Sequence, residues 1–514
     1  MLINQTKLFM LLSKYTLRNI SSAEVSVPDE RLLELPEKVL QFGTGVLLRG
    51  LPDYLIDKAN RQGIFNGRIV VVKSTDAGDT NAFDKQDSLY TICVRGISGG
   101  KQEEENIICS AISRILSAKQ EWNKVLECAH NPQLQVIISN TTEVGITLVN
   151  DDILRHPPVS FPGKLLAFLY ERYRAFAGSR QCGMIIVPTE LITDNGKKLE
   201  SIVMELAYLN GLDEAFIDWL ENCNHFCNTL VDRIVPGKPD AALQSSVENK
   251  LGYHDELLIM SEAYRLWAIE GGNAVQEVLT FAQADKGVVI AEDINLFREL
   301  KLRLLNGTHT LSGGVAFLAG CKTVKDAMDD TRVSAFISSL MKDEIAKAIP
   351  YEVEDTVAQK FATDVLDRFR NPQIAHYWLS ITMQYSSKMK MRVVPVLQQF
   401  YAVHNSVPGH IALGFAAYLL FMKPEKEEKG VFYGKHEGEF YPIKDDNAAY
   451  FYQQWKQVKA SCIAATVLRD TNLWGADLTR LPGFADAVQE KMEEINEQGM
   501  MAVLQPGLQN KLTA

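Results

Sequence analysis

The chain has 514 residues, of which 46% are hydrophobic and 23% charged. That is ordinary globular material, enough for two or three domains rather than one core. A formal net charge of -11 argues against nucleic acid or an anionic membrane as partner, since either requires a basic face to release counterions. The partner expected is a small molecule, and an anionic one needs local basic residues.

Taken in chain order, residues 1–28 carry no clear pattern and read as a disordered or loosely packed N-terminal extension. The apolar run 8–12 is too brief for a signal segment, and nowhere do 18 apolar residues follow one another. With eight cysteines lacking any pairing rhythm, the expectation is a reducing cytoplasm without a disulfide framework. Residues 38–42 form a short apolar strand, followed by Gly43-Thr44-Gly45 and an amphipathic stretch over 46–61. Strand, glycine turn and helix suit a dinucleotide: the glycines let backbone approach a pyrophosphate, which meets the free N–H groups of the helix start. The third glycine of the usual fingerprint is missing, because position 48 is Leu, so an ordinary tight turn remains an alternative.

Residues 68–74 are a β-branched run typical of a buried parallel strand, ending at Thr75-Asp76, where Asp76 can bind ribose hydroxyls. Lys73 and Ser74 at the same strand end suit a 2′-phosphate instead, so NAD is favoured over NADP only as a lean. Short apolar runs at 134–139, 184–187 and 288–290 alternate with helical stretches such as 164–176 and 199–209. The pattern predicts a doubly wound, Rossmann-like α/β domain over residues 29–290. Cys223, His225 and Cys227 lack a second ligand pair, and a half-buried helix is the preferred reading over a zinc site.

From 291 to 514 helical periodicity dominates, over 294–304, 324–341, 353–369, 393–400 and 411–421, which predicts a mostly α-helical C-terminal domain. Residues 423–446, rich in charge and glycine, read as a long surface excursion. The run Lys301 to His309 combines a proton carrier, an amide donor and an imidazole. On a helix of about 100° per residue, Lys301, Asn306 and His309 span roughly 140° and can meet one ligand. Reducing a ketone needs a donor for the developing alkoxide and an acid to protonate it, and a dehydrated lysine can serve as that acid. Lys301 would then face the cofactor across a domain cleft. The plainer alternative has Lys301 and Arg303 solvated, Asn306-Gly307 a turn and His309 a satisfied core residue.

In order, Phe42-Gly43-Thr44-Gly45 with Arg49, residues 86–91, Thr142-Glu143-Val144-Gly145, Val231-Asp232-Arg233-Ile234 and Lys301 to His309 resemble the mannitol dehydrogenase family of long-chain polyol dehydrogenases. Residues 187–192 and Tyr441-Pro442-Ile443 are similar to its uronate branch. The resemblance implies a metal-independent, NAD-dependent reaction, with Phe42, Gly43, Thr44, Gly45, Arg49, Asp76, Thr142 and Glu143 at the cofactor. It makes Lys301 the general acid/base, Asn306 a donor to the oxyanion and His309 an orienting hydrogen bonder, with Asp232 in the pocket. The polyol enzymes place another asparagine where this chain has Leu191, a departure that leaves Asn306 alone as amide donor or implies a different substrate seat.

A uronate also needs a counter-charge. Arg368, His376, Lys388 and Arg392 are the candidates, although basic residues four apart usually form a solvated face. A sugar acid as substrate and a monomer or weak homo-oligomer are expected. A dinucleotide-binding module without redox chemistry would share the glycine turn.

Overall fold

The computed structural model describes residues 9–21, 23–74, 80–141, 145–373 and 376–505. Two compact units emerge, Met1–Gly96 with Gln102–Ile294 and, as the second, Ile97–Lys101 with Asn295–Ala514.

Unit 1 is built on a parallel six-stranded sheet: β1 (Glu37–Phe42), β2 (Arg68–Lys73), β3 (Ile112–Ser117), β4 (Val136–Ser139), β5 (Ile185–Pro188) and β6 (His225–Phe226). Their spatial order is β3-β2-β1-β4-β5-β6, with every pair parallel. This is the Rossmann order, in which the winding direction reverses between β1 and β4. Alternation along the strands feeds two cores. Val39, Ile69, Val71, Val136 and Ile138 join Leu48, Leu51 and Leu55 on one face. Leu40, Val70, Val72 and Ile137 face Trp122, Leu165, Leu199 and Phe216 on the other. Burial on both faces explains why these strands are near-continuous β-branched runs. The second face is covered by α3 (Ala118–Glu127), α4 (Phe161–Ala175), α5 (Asn195–Leu209) and α6 (Glu214–Cys223).

Several expectations are corrected. The stretch over 46–61 is two helices, α1 (Val46–Gly50) and α2 (Pro52–Arg61), because Pro52 drives Leu51 to a non-helical φ of -128°. Residues 288–290 do not extend the Rossmann sheet; Val288–Ala291 pairs with Leu266–Glu270, which itself pairs with Thr229–Asp232. Within the expected extension, Met10–Leu11 pairs with Tyr253–His254, and Leu12, Leu17 and Val25 are buried against Cys93, Ile108 and Tyr253. Sparse apolar residues sufficed there because a neighbouring strand supplied the hydrogen bonds. Strand Lys101–Cys109 escaped notice because its first half is exposed and polar. Cys223 ends α6 and His225 begins β6, so the half-buried helix does not span them. Cys227 lies in the apolar core, where burial pushes its thiol up to about 12. Among the described residues no group of three or more His, Cys, Asp or Glu is placed to hold a metal.

Unit 2 is mostly helical. Its centre is α10 (Gly409–Phe421), apolar on all sides and buried along nearly its whole length. Helix α8 (Thr308–Leu318) crosses it at two glycines: a Cβ on Gly314 would lie 2.9 Å from the Ala417 backbone, and one on Gly414 2.6 Å from Leu311. The expected excursion over 423–446 is instead a three-stranded antiparallel sheet, Lys426–Glu428, Val431–His436 and Glu439–Pro442. Its turns, Lys429-Gly430 and Glu437-Gly438, have positive φ at both positions, as primed hairpin turns require. Lys-Gly and Glu-Gly are unusual residues for that turn. Among the described residues no helix is long and apolar enough to cross a membrane.

Candidate active site

The glycine turn sits where the strand order reverses. Gly43 has φ +128°, and a Cβ there would lie 2.9 Å from Leu48 Cδ1 and 3.2 Å from the Asn140 carbonyl oxygen. The Gly43 N–H donates to the Val72 carbonyl at 3.0 Å and the Asn140 N–H to the Phe42 carbonyl at 3.2 Å, knitting the ends of β1, β2 and β4. Leu48, fully buried, fills the space beneath Gly43, which is why the third glycine of the fingerprint is dispensable here. Gly45 precedes α1, and a Cβ on it would meet nothing within 4 Å. Internal packing therefore does not require that glycine, whereas close approach of a pyrophosphate does. The turn fits a dinucleotide.

The remaining cofactor candidates divide. The Phe42 ring is buried edge-on against Phe161 at 5.3 Å, so only its backbone reaches the turn. Thr44 is half-buried beside the two glycines. Arg49 turns into the body of unit 1: Nη1 donates to the Leu257 carbonyl at 2.7 Å, and the guanidinium lies 5.3 Å from the Tyr90 ring centroid and 5.6 Å from that of Phe83. These contacts order the Arg49 side chain, whose Nε is buried without a hydrogen-bond partner. Asp76, Thr142 and Glu143 lie outside the described residues.

Two buried acids near the turn carried no sequence signal beyond an acidic residue in an apolar setting. Glu190 accepts from the Thr141 N–H at 2.8 Å and the Ser139 hydroxyl at 3.2 Å. It thereby braces the chain leaving β4 from the neighbouring strand end, and burial pushes its carboxyl up. Leu191, next to it, is 64% exposed.

The second acid, Asp53, accepts from the Tyr90 hydroxyl at 3.2 Å and from Gln41 Nε2 at 3.5 Å, and the same Gln41 nitrogen lies 3.4 Å from the Gly43 carbonyl. Asp53 Oδ1 has no hydrogen-bond partner. Burial pushes the carboxyl up to about 7, against the Tyr90 hydrogen bond and the Arg49 charge. A folded value above the unfolded one of about 3.9 means that stability present at low pH is lost as pH rises through the folded value. Asp53→Asn should therefore gain stability relative to the native chain between about pH 4 and 7, by at most about 4 kcal/mol. Thermal melts at pH 5 and 8 check this; a pH-independent difference counts against it.

Asp232 ends the strand Thr229–Asp232 in unit 1 and is buried. The adjacent Arg233 donates to the carbonyl oxygens of Gly50 and Glu262 and lies 4.4 Å from the Tyr54 ring centroid. Burial pushes its guanidinium down to about 10. Arg233 therefore holds the end of α1 and the backbone that carries Asp232, a role that residue spacing did not reveal.

The remaining candidates lie in unit 2. Helix α7 (Asn295–Leu300) passes into a π-helical turn, Lys301–Gly307, and then into α8. The expected spacing of about 100° per residue does not hold through that turn. Bonding from i to i+5 instead puts Lys301 and Asn306 one turn apart on the same side. Both are half-buried, while His309 at the start of α8 is buried.

His309 stacks on Phe369 at 4.1 Å between centroids and meets His376 edge-on at 5.0 Å and Trp378 at 6.0 Å. Its Nε2 is buried without a hydrogen-bond partner. Burial, followed by the positive fields of His376, Arg368, Arg392 and Lys388, pushes its pKa well below 6.5. The imidazole is therefore neutral. His376 is lowered by burial and by Arg368 and Lys388, and Lys388 by burial and Arg392, with Asp445 acting the other way. Lys388 Nζ donates to the Ile381 carbonyl at 2.8 Å, and Arg392 Nη1 to Thr310 Oγ1 at 3.2 Å. Thr310 Oγ1 in turn donates to the Asn306 carbonyl at 2.7 Å. Arg368, in the last turn of α9 (Asp355–Phe369), is buried. Thus His376 touches one neutral histidine and the charges of Arg368, Lys388 and Arg392 act on it, and since Arg368 is buried and Lys388 and Arg392 half-buried, the solvated-face alternative does not describe them. Phe369 and Trp378, the aromatic walls of His309, were not singled out in the sequence because aromatic residues at helical spacing usually belong to a core.

Residues 37–282 match the mannitol dehydrogenase Rossmann domain, and residues 293–496 the mannitol dehydrogenase C-terminal domain. The altronate oxidoreductase of Bacillus subtilis (strain 168) is 38% identical over 477 residues, covering 92% of this chain and 95% of that protein. That of Shigella flexneri is 34% identical over 482 residues, covering 92% and 97%. Among solved structures, a Pseudomonas fluorescens mannitol 2-dehydrogenase in ternary complex with NAD and D-mannitol superimposes with TM-score 0.65 at 22% identity, covering 97% of this chain and all of that one. A substrate-free D-sorbitol dehydrogenase gives TM-score 0.75 at 18% identity, covering 96% and 100%; at such identities the likeness bears on fold alone. With both of its domains matched in order, the chain belongs to the mannitol dehydrogenase family.

Proposed function

We propose that this chain is an NAD-dependent oxidoreductase that reduces D-tagaturonate reversibly to D-altronate in hexuronate catabolism, without a metal. The observation that carries the reading is the group of Arg368, His376, Lys388 and Arg392 around the neutral His309. Three cations gathered in a partly desolvated place favour a substrate that brings a carboxylate, because the anion relieves their mutual repulsion and charge-assisted hydrogen bonds reward it. The altronate oxidoreductase relatives support the same substrate.

In this reading residues 29–290 hold the dinucleotide, with Gly43 to Gly45 against the pyrophosphate, and residues 291–514 hold the sugar acid and the catalytic groups. The bound nicotinamide supplies a hydride to the keto carbon. Lys301 delivers a proton to the carbonyl oxygen as the C=O electron pair moves onto it, and takes that proton back in the oxidative direction. The Asn306 side-chain amide donates to the same oxygen while its charge develops. His309, kept neutral, orients a hydroxyl through its otherwise unpartnered Nε2. Asp232 joins the substrate groups. Asp76, three residues beyond Lys73 in the sequence, favours NAD over NADP. The setting proposed is the cytoplasm, as a monomer or weak homo-oligomer, which sedimentation would test.

Oxidation of NADH and NADPH against tagaturonate, fructuronate and fructose, side by side, tests the proposal. The expected result is turnover of tagaturonate with NADH at the highest kcat/KM. Preference for fructuronate or for neutral fructose would move the chain to a sibling activity of the family. NADH binding with no turnover of any of them would leave a binding module.

A further inference from the structure

Two π-helical turns carry the groups proposed for chemistry and for the carboxylate. Lys301–Gly307 contains Lys301 and Asn306, while Met389–Val393 contains Arg392 and directly follows Lys388. A helix turn of this kind leaves backbone groups without their ordinary partners. At the second turn the cause is legible, since the residue four beyond Met391 is Pro395, which has no N–H to give the Met391 carbonyl. One side chain meets that need. Arg303, on the first turn and buried, donates from Nη1 to the Met391 carbonyl at 2.7 Å and to the Arg392 carbonyl at 3.0 Å. Its Nε is held by Glu299 Oε2 at 2.9 Å. The two turns also meet at Gly307, where a Cβ would lie 3.8 Å from the Arg392 carbonyl oxygen.

From this geometry we infer that Arg303 is a positioning residue that sets the separation between the proton-delivering turn and the carboxylate-binding turn, and so selects substrates bearing a carboxylate at a fixed distance from the keto group. The inference rests on the proposed function. The planar guanidinium suits the task because it reaches two adjacent carbonyls and a carboxylate at once, which an ammonium group on a flexible stem does not reproduce. A substrate with both a ketone and a carboxylate is bound at both turns, so its productive alignment depends on their separation. A neutral ketose engages the catalytic turn alone. Releasing Arg303 therefore penalises the first far more than the second. The solvated-arginine alternative predicts no such difference.

Arg303→Gln, Arg303→Lys and Glu299→Gln would be compared with the native enzyme on tagaturonate and fructose, with melting temperature and NADH affinity measured alongside. For Arg303→Gln the expected result is a fall of about 30-fold or more in kcat/KM for tagaturonate and of no more than about threefold for fructose. Arg303→Lys should fall between Gln and native, and Glu299→Gln should change the ratio in the same direction by less. Equal losses on both substrates, with a lower melting temperature, would assign Arg303 a purely structural role and overturn the inference. Should Arg303→Gln fail to fold, the substrate ratio of Glu299→Gln decides in the same way. The native enzyme in the same assay reports separately on the substrate: if it does not discriminate between the two, the proposed function fails before the variants are read.

Discussion

Lys301→Ala is expected to bind NADH as the native chain does and to turn over about 10²- to 10⁴-fold more slowly, the usual contribution of a positioned acid or base. That corresponds to about 3–5 kcal/mol of transition-state stabilisation. The two readouts separate because the glycine turn belongs to unit 1 and Lys301 to unit 2, so removing the amine leaves the proposed dinucleotide contacts in place. Fluorescence titration of NADH gives the first quantity and steady-state kcat with tagaturonate the second. Near-native turnover in Lys301→Ala would remove lysine from the mechanism. Loss of NADH binding together with turnover would instead report damage beyond the proton-transfer step.

The second large effect concerns the carboxylate. Lys388→Met and Arg392→Met, made separately, should each raise KM for tagaturonate by about 10- to 150-fold, the equivalent of one charge-assisted hydrogen bond of about 1.5–3 kcal/mol. KM for fructose should stay within about threefold of native, because a neutral ketose makes no such bond. The pH profile should move as well. Lys388 is one of the positive groups that hold the pKa of His309 and His376 down. With that charge gone, both histidines take up a proton at a higher pH than in the native enzyme, so the acid limb of kcat/KM shifts upward. An unchanged KM ratio between tagaturonate and fructose in both variants would mean that neither cation meets the carboxylate.

How much of this could be read from residue order depends on how local each cause is. The Rossmann strands were legible because burial on both faces writes itself into runs such as Arg68–Lys73. Lys301, Asn306 and His309, the groups proposed for catalysis, could be picked out together because nine consecutive residues carry them. The surroundings of His309 were not. Phe369, then His376 with Trp378, then Lys388 with Arg392 come from three separate stretches of unit 2, and spacing within one stretch says nothing about which stretches meet. Arg303 is the clearest case: its partners are carbonyl oxygens of Met391 and Arg392, atoms that every residue possesses and no motif can single out. Arg49 is similar: it adjoins a recognisable turn, yet its guanidinium contacts with Leu257, Phe83 and Tyr90 come from distant residues that spacing does not name.

By itself, then, the order of residues determined the alternation of buried strands and helices, the backbone turn after β1, and the chemical type of the groups proposed to move a proton, because each follows from rules that act over a few neighbours. The tertiary structure alone decided that His309 is neutral, that four basic or protonatable side chains share its surroundings, and that the helix beneath Lys301 widens by a residue. Those outcomes depend on desolvation and on charges brought together across distant parts of the chain, and neither has a signature in local spacing.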